Sequence, residues 1–148
     1  MLPIVLSVDD DPSSHILMRA FLEDEAFCEH FVSATSPSQG LEILRQLASD
    51  PLSSLPSVIF CDIHMPEMSG WEFIEQAAPY LNDASTSTDV VIIMLTGTAT
   101  DDDERRAIDS PHVKGLYNKP LGVKLLGELR NSDALAHYFA APPQQSCL

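Results

Sequence analysis

The stretch VIFCDIHMPEMSG, from Val58 to Gly70, runs four apolar or near-apolar residues into a carboxylate, then breaks into a Met-Pro turn that closes on glycine. A strand that stops on Asp62 places that charge at the rim of a sheet, where a ligand or a metal can meet it. Taken alone, an aspartate after a strand is explained as the start of a loop. The weight of Asp62 therefore rests on what the other strands end in.

Working outward, four further stretches read as strands: Pro3 to Val8, Phe27 to Ala34, Val90 to Leu95 and Val113 to Asn118, with the strand before Asp62 covering Ser57 to Cys61. The segments between them have helical spacing. Ile16, Leu17, Ala20 and Phe21 share a face, as do Leu41, Leu44, Leu47 and Ala48; Trp71, Ile74, Ala77 and Leu81 form a third, and Leu121, Leu125, Leu126 and Leu129 a last. A helix over Asp101 to Ile108 carries little apolar surface. Asp11-Pro12 and Ser36-Pro37 signpost two helix starts, a capping residue before proline.

Strict alternation of strand and helix implies a parallel sheet covered on both faces. IVLSV, VIFC and VVIIML are nearly continuous apolar runs, as strands buried on both sides require, whereas FCEHFVSA and VKGLYN mix in polar residues as edge strands do. That pattern predicts the flavodoxin-like doubly wound α/β fold, a five-stranded sheet in the order 2-1-3-4-5. Ligands in such sheets sit outside the carboxyl ends of the strands where the winding reverses, here between strands one and three.

Composition narrows the function. A chain of 148 residues is expected to form one domain with a real core, and a net charge of −14 argues against nucleic acid or anionic membrane as direct partner. No apolar run approaches the ~20 residues of a membrane span, and the N-terminus lacks the pattern of a signal peptide. Cys28, Cys61 and Cys147 are widely spaced and odd in number. They read as reduced thiols of a cytoplasmic protein, neither a disulfide framework nor a zinc site.

Strand one closes in Asp9-Asp10-Asp11 before Pro12. An acidic triplet there also serves a helix dipole, but in the predicted order it lies one strand, roughly 5 Å, from Asp62. Three converging carboxylates repel one another unless a cation lies between them. Oxygen ligands alone point to Mg2+ or Mn2+, and the glycine spacing of an EF-hand is missing. Strand four ends in MLTG, which sets the Thr96 hydroxyl beside Asp62 and leaves Gly97 open to close approach. Strand five ends in YNKP, where the flexible stem of Lys119 spans much of the roughly 10 Å back to Asp62.

The acidic pair Asp9-Asp10, DIHMPEMSG from Asp62, LTG with Thr96, and Lys119-Pro120 occur in that order on alternating strands. Over roughly residues 2 to 131 the chain resembles the receiver domain of two-component response regulators. The resemblance implies that Asp62 accepts a phosphoryl group from a histidine of a histidine kinase or histidine phosphotransfer protein. It further implies that Asp9, Asp10, Asp62 and the backbone carbonyl of His64 hold Mg2+, with Asp10 direct, Asp9 through water and Asp11 left as helix cap. Lys119 would pair with the phosphoryl oxygens, and Thr96 would donate to one of them and pull its loop inward. Output would pass through the face of helix four, strand five and helix five to an unknown protein target.

His64 is expected to face solvent with its ring, His15 to lie on the surface, and Trp71 to fill the core. One departure from the family pattern concerns its aromatic three residues before the lysine: Leu116 stands there, followed by Tyr117. Residues 1–131 are expected to form the receiver and 132–148 an extension, a short helix at Leu135, Tyr138 and Phe139 packed on the domain and then a disordered tail from Pro142. That extension is too short for a DNA-binding module, and Met1 directly before strand one suggests an independent chain. Two other classes compete: a pseudo-receiver scaffold, which has no use for all five site residues, and an aspartate-nucleophile phosphatase, whose DxD is DIH here. A receiver that relays or stores phosphate is a variant of the first reading.

Overall fold

The computed structural model describes residues 1–81 and 90–139; the stretch Asn82 to Asp89, whose polar composition reads as a surface insertion, and the expected tail from Pro142 lie outside them. Strands β1 (Leu2–Val8), β2 (Cys28–Ala34), β3 (Val58–Asp62), β4 (Val91–Thr96) and β5 (Val113–Asn118) alternate with helices α1 (Pro12–Asp24), α2 (Pro37–Ser49), α3 (Gly70–Leu81), α4 (Asp101–Asp109) and α5 (Val123–Arg130). The strands form one parallel sheet in the order β2-β1-β3-β4-β5, as predicted. Every residue of β3 and β4 is buried, whereas β2 and β5 show polar residues to solvent.

The period of two along the strands divides the interior into two cores. Leu6, Val8, Ile59, Cys61, Ile92 and Met94 meet Leu44 of α2 and Trp71, Phe73 and Ile74 of α3 on one face. On the other, Val5, Val58, Phe60 and Ile93 meet Met18 and Leu22 of α1 and the leucines of α5. Each such fully buried side chain stabilises the fold by about 1.5–3 kcal/mol relative to exposure. The stripes read on α3 and α5 do face these cores; of the one read on α2, Leu41 and Leu44 do, joined by Ile43 and not by Leu47 or Ala48.

Of the stripe read on α1, only Phe21 packs against a core. Ile16 and Leu17 are 72% and 46% exposed, and the buried residues of the helix are His15, Met18 and Leu22. The helix is turned by one residue because His15 packs inward, its Nε2 at 2.8 Å from the Asp9 carbonyl and 3.1 Å from that of Ala34. Met18 and Leu22 follow it at i+3 and i+7. His15 is thus no surface residue: its Nε2 is paired with two carbonyl oxygens, which offsets part of the cost of burying the ring.

Beyond α5, the short helix α6 (Ala136–Phe139) turns back onto the second core. Leu135 is buried, the Phe139 ring lies 5.2 Å from Phe27, and the Arg130 guanidinium sits 5.1 Å above Phe139. The Met1 ammonium donates to the Tyr138 carbonyl. No helix among the described residues is long and apolar enough to cross a membrane.

Candidate functional site

The register pairs Val8 with Cys61, Asp62 with Leu95 and Thr96 with Asn118, so Asp9, Asp62, Thr96 and Lys119 all emerge at one rim. Among the described residues, Asp9, Asp10 and Asp62 form one group whose carboxylate oxygens lie within 4.8 Å of one another. Lys119 crosses from the end of β5, its Nζ 2.7 Å from Asp9 Oδ2 and 3.4 Å from Asp62 Oδ2. Asp9 Oδ1 accepts from the Asp11 amide at 2.9 Å, and Asp62 Oδ1 from the His64 amide at 3.3 Å. Asp11 caps α1 by accepting from the Ser13 amide.

Glycine closes the loop after Asp62 for a steric reason. A Cβ on Gly70 would stand 2.4 Å from the Asp62 carbonyl oxygen and 2.8 Å from Met94, while the Gly70 amide donates to Ile63 at 2.7 Å. A side chain there would push α3 away from the end of β3. Across the rim, nothing lies within 4 Å of a Cβ built on Gly97, so the approach from β4 is open.

Electrostatics set the chemistry. Burial raises the Asp62 carboxyl above its ordinary value, Asp9 raises it further, and Lys119 opposes both. Burial would lower the Lys119 ammonium, but its hydrogen bond to Asp9 and the charges of Asp9 and Asp62 outweigh that and raise it. Three carboxylates face one ammonium, a formal excess of two negative charges in the cluster. Such a site favours an incoming cation. Cys61, buried directly behind it, has its thiol pushed up by burial and is inert as a nucleophile.

Thr96 is fully buried and its hydroxyl is held within its own loop, at 3.3 Å from both the amide and the carbonyl of Thr98. That loop ends at a capping box. Thr100 Oγ1 accepts from the Asp103 amide, and Asp103 Oδ2 accepts from the Thr100 amide, each at 3.1 Å. The other oxygen, Asp103 Oδ1, accepts from the indole Nε1 of Trp71 at 3.1 Å. One carboxylate therefore joins the start of α4 to the start of α3, and a helix with little apolar surface is held by polar contacts.

Burial disfavours the ionised Asp103, yet the donors from Thr100 and Trp71, with His64 nearby, hold its carboxyl below the ordinary value. Its stabilisation is therefore present above the unfolded aspartate value and is lost as pH falls through the lower folded one. Asp103→Ala removes the carboxylate half of the capping box and strands a buried indole donor, an expected loss of about 1–3 kcal/mol. Urea unfolding at neutral pH should show that loss, shrinking under acid conditions, and an unchanged midpoint would mean the link bears no load.

The residues picked out by sequence, Asp9, Asp10, Asp62, Thr96 and Lys119, converge, with two differences of detail. Thr96 lies one residue beyond the Asp62–Leu95 pair, its hydroxyl bonded to Thr98 instead of Asp62, and Lys119 leans more closely on Asp9 than on Asp62. His64 is exposed, as expected. Leu116 packs toward the first core and Tyr117 toward the second, since neighbours on a strand face opposite sides. His15 and the Trp71–Asp103 link were missed; the spacing of Thr100 and Asp103 signals the capping box, but no local pattern reveals its indole partner.

A parallel sheet wound in this order, with an acidic cluster and a lysine at the switch point, defines a receiver-type signalling domain. Residues 5–130 match the family described as response regulator receiver domain, and the chain belongs to that family. It is 30% identical over 106 residues to an uncharacterised 14.6 kDa protein of Leptolyngbya boryana, covering 72% of this chain and 71% of that one. A two-component response regulator of Cytophaga hutchinsonii superposes with a TM-score of 0.78 at 26% identity, over 88% of this chain and 95% of the other. The receiver of the Arabidopsis thaliana histidine kinase CKI1, solved with Mg2+ and BeF3−, shares the fold at a TM-score of 0.62 and 22% identity, over 72% and 74% of the two chains.

Proposed function

We propose that this receiver accepts a phosphoryl group on Asp62 from a phosphohistidine of a histidine kinase or histidine phosphotransfer protein in the cytoplasm. The observation that carries the proposal is the convergence of Asp9, Asp10 and Asp62 within 4.8 Å, with Lys119 at 3.4 Å from Asp62. An excess of negative charge on oxygen donors alone fits Mg2+ or Mn2+. Asp10 and Asp62 would hold the ion directly, Asp9 through water, and His64 through its backbone carbonyl. The CKI1 receiver, solved in complex with Mg2+ and BeF3−, supports the same use of this fold. When bound, the ion neutralises charge on the phosphoryl oxygens.

In the transfer, a carboxylate oxygen of Asp62 attacks phosphorus. The new P–O bond forms as the P–N bond to the donor imidazole breaks, and the departing nitrogen keeps the electron pair and takes up a proton. Lys119 is within reach of the phosphoryl oxygens and offsets their charge. Thr96 gives up its loop contact with Thr98 to donate to one of them, which draws the loop toward Asp62 and shifts α4. Leu116 stands where the family carries an aromatic, so the loop shift is carried by Thr96; a receiver whose loop did not respond would serve as a phosphate relay or sink.

A small phosphodonor with Mg2+ should add one base-labile phosphoryl group by intact mass, and none with a chelator. Asp10→Ala should weaken Mg2+ binding on the order of tenfold, because it removes a charged ligand. Asp11→Ala should leave it nearly unchanged and cost only the helix cap, about 1 kcal/mol. The reverse order would reassign the ligand pair, and labelling independent of Mg2+ would sink the mechanism.

A further inference from the structure

His15 lies in the first turn of α1, is 6% exposed, and belongs to none of the roles above. Its Nε2 faces two carbonyl oxygens, of Asp9 at 2.8 Å and Ala34 at 3.1 Å, and so must carry a proton to donate. Its Nδ1 is buried with no partner. A lone pair left there is less costly than a buried N–H without an acceptor, so Nε2 is the nitrogen that carries the donated proton.

The Asp9 carbonyl belongs to the peptide that links Asp9 to Asp10. Where β1 ends, the Asp9 amide still donates to Ala34 at 3.1 Å, but among the described residues no backbone amide donates to the Asp9 carbonyl. His15 supplies the missing donor. A peptide is planar, so a bond to its oxygen sets the orientation of the whole unit. That orientation decides where the bonds to both flanking side chains point. Asp9 is held again through its own carboxylate by Asp11 and Lys119. Asp10 is exposed and makes no recorded side-chain hydrogen bond, so its aim toward Asp62 depends on the backbone alone.

We infer that His15 is a positioning residue for the acidic pair: its Nε2–H fixes the Asp9–Asp10 peptide and so brings the Asp10 carboxylate into the cluster with Asp62. The inference rests on the proposed use of that cluster as a Mg2+ site. Partners behind a metal ligand commonly change affinity by 10–100-fold when removed.

Two substitutions separate donor from bulk. His15→Gln places an amide N–H at a similar reach, and His15→Leu keeps comparable volume without a donor. Mg2+ affinity is measured by calorimetry on the full chain, thermal unfolding is followed with a chelator present, and carbon-13 shifts of the aspartate carboxylates are recorded without metal. His15→Leu should bind Mg2+ roughly tenfold more weakly and move the metal-free carboxylate signal of Asp10, while His15→Gln stays close to wild type in both. Should both variants lose thermal stability equally and bind Mg2+ as wild type does, His15 is structural only and the inference falls. Absence of Mg2+ binding by the wild-type chain would overturn the metal reading itself. An Asp10 signal unmoved in metal-free His15→Leu would overturn the positioning role independently of that.

Discussion

Asp62→Asn should take up no phosphoryl group from a small phosphodonor with Mg2+, where the wild-type chain gains one by intact mass. The amide is nearly isosteric but has no carboxylate to attack phosphorus. Equal labelling of both proteins would move the acceptor elsewhere. The same variant should be more stable than wild type in the presence of a chelator. Burial and Asp9 raise the folded carboxyl of Asp62 above its unfolded value. The folded state therefore holds that proton more tightly, and stability falls as pH rises from the unfolded value through the folded one. At neutral pH the substitution removes this penalty, an expected gain on the order of 1 kcal/mol, the scale of two like charges about 4 Å apart in water. Below the ordinary aspartate range the two proteins should converge. Mg2+ should narrow the gap at neutral pH, because it binds the folded wild type and stabilises it by mass action. A less stable Asp62→Asn protein in chelator would contradict the electrostatics described for the cluster.

Thr96→Ala should still be phosphorylated, yet its loop should no longer respond. In the present state the hydroxyl is held by Thr98, and α4 begins at a cap tied by Asp103 to Trp71. Drawing Thr96 toward a phosphoryl oxygen breaks the first contact and pulls on the second. Hydrogen exchange over residues 96–118, with Mg2+ and beryllofluoride as phosphate mimic, should change by roughly tenfold in wild type, about 1.4 kcal/mol of coupling. The change should be lost in Thr96→Ala and kept in Leu116→Ala, because the pull acts through residue 96. A groove of about 500 Å3 between α4 and β5, lined by Ala107, Ile108 and Leu116, is the surface such a shift would reshape. An unchanged wild-type pattern would favour the relay or sink over an output switch.

Strand identity and order were legible because a parallel sheet buried on both faces calls for short, β-branched-rich apolar runs, here alternating with segments of helical spacing. IVLSV, VIFC and VVIIML can be little else, and the polar admixture in β2 and β5 marks the edges. From that order alone, Asp9, Asp10, Asp62, Thr96 and Lys119 fall at one rim, because strand ends in a parallel sheet share a side. Sequence patterning also determined which faces of α3 and α5 turn inward, since their apolar stripes are broad, and half of that on α2, at Leu41 and Leu44.

What the sequence left open is decided by polar groups meeting across long separations. On α1 an apolar stripe through Ile16 and Leu17 competes with one through Met18 and Leu22, and the carbonyls of Asp9 and Ala34 settle the choice by engaging His15. Trp71 reads as a core residue, but its indole nitrogen finds Asp103 thirty-two positions away and anchors α4. Lys119 could reach either carboxylate, and the packed rim places it closer to Asp9 than to Asp62. Hydrophobic periodicity is a property of neighbouring residues and is written locally. A directed hydrogen bond to a buried donor or acceptor needs the folded chain to bring its partner within about 3 Å, and only the tertiary structure does that.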